Sequence, residues 1–120
     1  MYQTKISGDT YFHAQSEGYG KSIELFWETK DGDTPMSLMT IALGSCVTMC
    51  LQSYFKKKKG LDTLDIIVET TYEDRHFDLK IDLPDLVKDT NQDELTNFIN
   101  NYCRVKKVLA DDITFSLKYL

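Results

Sequence analysis

From Met36 to Leu51 the chain carries no charged residue, and this stretch restricts the fold more than any other. It is about 16 residues long, short of the roughly 20 needed to span a bilayer, and Ser37, Thr40, Ser45 and Thr48 interrupt it. It therefore reads as a buried central helix. Thr34-Pro35 supplies an N-cap with proline in the first helical position, where its missing N–H costs nothing. The helix should run from Pro35 to about Lys58 and stop at Gly60. Lys56 to Lys59 then form a cationic last turn that complements the negative end of the helix dipole.

With 120 residues the chain suits one domain, 1–120, with one real core. A formal net charge of -5 and a pI near 4.9 argue against nucleic acid, which needs a basic face. No apolar leader follows Met1-Tyr2-Gln3-Thr4-Lys5, so a cytoplasmic protein with no membrane partner is expected. In that setting the three cysteines read as thiols rather than a disulfide framework.

Residues 5 to 29 have the pattern of a β-hairpin: Ile6, Tyr11 and Phe12, a turn at Glu17-Gly18-Tyr19-Gly20, then Ile23, Leu25 and Trp27. Beyond the helix, Leu64, Ile66 and Val68 suggest a strand extending to Glu69, and Phe77 to Leu83 alternates as a strand with one wet face. Tyr72 to His76 is the intervening turn, and Pro84 ends the second strand. Leu95, Phe98, Ile99, Tyr102, Val105 and Leu109 recur at helical spacing, which predicts one helix from Asn91 to Leu109 with Asn91 and Glu94 as a capping pair. Ile113 to Tyr119 alternates as a last strand. The order ββ-α-ββ-α-β predicts an α+β fold with antiparallel sheets.

Cys46 and Cys50 share one helix face, but CxxxC lacks the redox CxxC spacing, and buried packing is the default for both. His13 and His76 form no ligand-spaced pair with a cysteine, so no metal is expected. Gly18-Tyr19-Gly20 lacks the following helix of a phosphate loop, and no cofactor is implied.

The helix carrying Pro35, Leu38, Ala42, Leu43, Gly44, Ser45 and Cys46 is followed 57 residues later by Cys103-Arg104-Val105-Lys106-Lys107-Val108-Leu109 and a terminal strand. This pattern resembles the OsmC/Ohr family, the osmotically inducible protein C and organic hydroperoxide resistance proteins. It covers residues 30 to 120 well and the N-terminal hairpin in outline. The resemblance implies an intertwined homodimer in which antiparallel sheets wrap long central helices. An apolar helix needs cover on all sides, which agrees with that picture. It also implies that Cys46 is the peroxidatic thiol and Cys103 the resolving one, that a dithiol is the reductant, and that an organic hydroperoxide is the substrate.

The chain departs from the family at the groups that activate the thiol. Met36 stands where the family's peroxidases carry a glutamate, and the only arginines are Arg75 and Arg104, neither in the N-terminal hairpin. Arg104 also replaces a usual proline; it is either a cation beside the thiol pair or a solvated helix residue. Two functions are therefore expected: a weak thiol-dependent hydroperoxide reductase, or a non-catalytic dimer binding a small apolar ligand.

Overall fold

Thr34 and Ser37 start the central helix by bonding each other's backbone. The Ser37 N–H donates to Thr34 Oγ1 at 3.1 Å and the Thr34 N–H donates to Ser37 Oγ at 2.7 Å, a capping box with serine in the acidic position. From there α1 runs Pro35–Lys59 in the computed structural model, which describes all residues Met1–Leu120. Gly60 ends it in the left-handed region at φ 63°, its N–H donating to the Lys56 carbonyl at 3.0 Å. By length and composition α1 could cross a membrane. Its residues Leu43, Val47, Leu51 and Phe55 are instead fully buried within the fold, as expected of a core helix.

Two compact units divide the chain, Met1–Met39 and Thr40–Leu120. The first holds a three-stranded antiparallel sheet of β1 (Lys5–Ser7), β2 (His13–Glu17) and β3 (Glu24–Phe26), in spatial order β1-β2-β3. The expected hairpin is thus one strand short. Tyr11 and Phe12 belong to a turn instead of a strand: Phe12 has φ 64°, and both side chains are exposed.

The second unit packs the rest of α1 with β4 (Ile67–Glu73), β5 (His76–Asp82), α2 (Gln92–Tyr102), α3 (Arg104–Val108) and β6 (Thr114–Tyr119). A short 3-10 turn at Asp85–Val87, which the alternation pattern does not announce, follows Pro84. Strands β4 and β5 are antiparallel with Glu73 opposite His76, so only Asp74 and Arg75 turn the chain, both at positive φ. Phe77, Leu79 and Ile81 point into the core, and the opposite face of β5 is polar as predicted. There His76 bridges Thr114 Oγ1 at 2.6 Å and Ser116 Oγ at 3.0 Å on β6.

The α+β class and the antiparallel pairing of β1 to β5 hold, but β6 lies parallel to β5. Parallel neighbours need a long crossover, and residues 83–113, with α2 and α3, provide one. The helix expected over Asn91–Leu109 is two helices. Asn91 caps α2 as predicted, its side chain accepting from the Glu94 N–H at 3.1 Å. Cys103 then turns extended at φ -73°, ψ 105°, and α3 starts at Arg104.

Gly44 lies where α1 meets β4, and a Cβ there would come within 2.6 Å of Thr70 Oγ1. In an open helix position Gly→Ala should gain about 1 kcal/mol, and the contact reverses that sign by overpacking of about 1 to 3 kcal/mol. Denaturant unfolding should show Gly44→Ala to be destabilising in the native background and stabilising when Thr70 is also changed to Ala. Additive effects of the two substitutions would contradict the close approach.

Candidate functional site

Helical geometry sets Cys46 and Cys50 one turn apart on α1, so both side chains project from the same face. The break between α2 and α3 brings the third cysteine to them. Cys103 is fully buried, Cys50 nearly so, Cys46 partly exposed, and all three are free thiols. Cys46 and Cys50 line a pocket of about 340 Å³ with Met49, Ser53, Lys57, Phe98, Tyr102 and Arg104.

The helix break also decides which groups face the Cys46 sulfur. The first amides of any helix have no partner inside it, and in α3 the first intrahelical bond is the Lys107 N–H to the Cys103 carbonyl at 3.3 Å. The N–H groups of Val105 and Arg104 are thereby left to donate to Cys46, and those of Lys106 and Val105 to Cys103.

Burial is the largest single influence on Cys46 and pushes its pKa up. Hydrogen bonds from the Val105 N–H, the Cys103 S–H, the Arg104 N–H and the Cys50 S–H outweigh it and leave the thiol below its ordinary value. The other two thiols move the opposite way. Burial, followed by the charges of Cys46 and Cys103, pushes Cys50 up to about 12. Burial pushes Cys103 up to about 11; the Lys106 N–H opposes that rise, and the bond donated to Cys46 adds to it. Of the three sulfurs Cys46 is thus the one that ionises most readily, and its neighbours are held as S–H donors.

Of the residues expected in the site, Cys46, Cys103 and Arg104 come together. Arg104 reaches Cys46 through its backbone N–H, while its side chain lines the pocket. Met36 lies in the first turn of α1, half exposed, in the first compact unit. Two features escaped the sequence reading. Periodicity continues across Cys103, so the break was hidden; a proline at the position of Arg104 would have marked a helix start. Lys57 looked like part of a solvated cationic turn, although its spacing from Cys46 on α1 puts it on the thiol face.

Alkylation by iodoacetamide between pH 7 and 9 should therefore modify Cys46 ahead of Cys50 and Cys103. Removing a donor should move the Cys46 profile to higher pH in Cys103→Ala, and by less in Cys103→Ser, which keeps a hydroxyl. Equal reactivity of the three cysteines in peptide mapping would contradict this ordering.

No curated protein sequence matches the chain. Solved structures share its fold at low identity. An OsmC-like protein from Mycoplasma pneumoniae matches with TM-score 0.68 and 13% identity over 100% of this chain and 96% of that one. A Psychrobacter arcticus protein gives TM-score 0.79 and 14% identity over 100% and 96%. The organic hydroperoxide resistance protein OhrB of Bacillus subtilis gives 0.66 and 12% over 99% and 98%. By sequence, the family described as OsmC-like protein matches residues 28–118. Those residues include all of α1 and the second unit up to, but not including, the last residue of β6, so the chain belongs to the OsmC-like protein family.

Proposed function

We propose that this protein is a thiol-dependent reductase of organic hydroperoxides that uses Cys46 and Cys103. The observation that carries the reading is the meeting in the core of these two free thiols, far apart in sequence, with the pKa of one lowered and that of the other raised. The Cys46 thiolate attacks the terminal peroxide oxygen, the O–O bond breaks, and the alkoxide takes a proton to leave as the alcohol. Sulfur is left as a sulfenic acid. Cys103 then attacks that sulfur, its proton leaves with the hydroxyl as water, and a Cys46–Cys103 disulfide forms. An external dithiol returns both thiols by exchange and is itself oxidised to a disulfide.

The resemblance supplies an arginine and a glutamate for thiol activation, and in this chain the backbone N–H groups at the start of α3 fill that part. Fixed dipoles stabilise a thiolate with less charge than a guanidinium brings, so turnover should be slow. Treating reduced protein with an equimolar aryl hydroperoxide should remove two thiols from the wild type and leave a trappable sulfenic acid in Cys103→Ser. Cys46→Ser should lose none at the same rate. Unchanged thiol counts in the wild type would sink the redox reading in favour of a non-catalytic dimer that holds a small apolar ligand.

The homodimer belongs to the same proposal. Ile41 and Met49 on α1 are 46% and 64% exposed, two large apolar side chains on one side of the helix, and Ser45 and Gln52 continue the same face. A second copy laying its own α1 there would cover it symmetrically. Sedimentation should show a dimer for the wild type and a shift toward monomer for Ile41→Glu; a monomeric wild type would refute this part.

A further inference from the structure

The pocket beside Cys46 combines two thiols, two cations and an aromatic wall, and none of its lining residues is a carboxylate. In a chain of net charge -5 that is a local inversion of sign. Lys57 is held in the wall. Its Nζ lies 5.8 Å from the Phe98 ring centroid and 5.7 Å from that of Tyr102, and those two rings pack against each other at 4.6 Å. Placed over ring faces, an ammonium sheds part of its hydration, and an anion reaching it meets a partly desolvated partner. Lys56, Lys58 and Lys59 in the same helical turn raise the positive potential at that end of the pocket.

We propose that Lys57, with Arg104, makes this pocket selective for amphipathic organic carboxylates, so that the preferred hydroperoxide carries an anionic group on its organic part. The inference rests on the hydroperoxide reading for the reacting end of the ligand only. Cys46 and Lys57 sit about three turns apart on α1, roughly 16 Å along the axis, and the lysine side chain leans back toward the thiol. A ligand body of about 10 Å then bridges sulfur and ammonium along the row of Met49, Cys50 and Ser53. Phe98 and Tyr102 provide its apolar contact, and Lys57 sets specificity without touching the reacting oxygen.

Two measurements on the reduced protein test this separately. In calorimetric titration, octanoate should bind more tightly than 1-octanol, and the advantage should shrink as salt is added. Lys57→Gln should cut the octanoate-to-octanol preference about fivefold, the upper range for one exposed ion pair. Lys57→Arg should keep the preference and Lys57→Glu reverse it. In kinetics, the ratio of thiol-loss rates for para-carboxy cumene hydroperoxide over cumene hydroperoxide should fall in Lys57→Gln and be restored in Lys57→Arg. Equal binding of octanoate and octanol, or a preference untouched in Lys57→Gln, would overturn the proposal. If neither peroxide consumes thiols but the Lys57-dependent octanoate preference stands, the redox reading fails and the carboxylate site remains.

Discussion

The site depends on how a sulfur in a largely dry helix can carry charge. Desolvation alone raises a thiol's pKa, and Cys46 feels that effect more than any other. The compensation comes from fixed dipoles: two backbone N–H groups at the start of α3 and two S–H groups from Cys103 and Cys50. None of these donors needs a counter-charge buried beside it, which spares the fold the cost of desolvating a second ion. The bonds from Arg104, Val105 and Cys103 exist because α2 stops at Tyr102 and α3 begins again at Arg104, whereas Cys50 donates from the next turn of α1.

The same break accounts for the unequal thiols. A continuous helix would bond the amides of Arg104 to Lys106 back to its own preceding turn and leave no donors for sulfur. Interrupting it at Cys103 frees those amides and also points the Cys103 thiol at Cys46. Cys103 and Cys50 then stay protonated mainly because burial disfavours their charged forms, and charge on Cys46 adds to that in both. In the proposed reaction this asymmetry is useful, since the attacking sulfur ionises and the resolving one waits as a donor until a sulfenic acid forms.

Packing and chemistry meet on α1. One face buries Leu43, Val47, Leu51 and Phe55 in the core; another carries Cys46, Cys50, Ser53 and Lys57 along a pocket; a third leaves Ile41 in water, with Met49 at the edge the last two share. A helix with so little amphipathic contrast has no single inside, and each face needs a different partner. In the second unit the core face has β5 and the α2 helix, the pocket face is proposed to take ligand, and the outer face is proposed to take a second copy.

Much of this was legible in the residues themselves. The start and stop of α1, the alternation of β5 and the cap at Asn91 follow from local chemistry: a capping hydroxyl or amide, a proline in the first turn, a glycine at positive φ, and side chains that alternate across a strand. Cys46 and Cys103 were singled out from their motifs without coordinates. Tertiary structure alone decided the parallel seating of β6, the third N-terminal strand, the break at Cys103 and the placing of Lys57 on an aromatic wall. Those depend on contacts between segments distant in sequence, where hydrophobic periodicity runs unchanged through a kink and cannot say which backbone amides are released. The choice of Cys46 as the candidate thiol was therefore a matter of sequence, and the lowering of its pKa a matter of the fold.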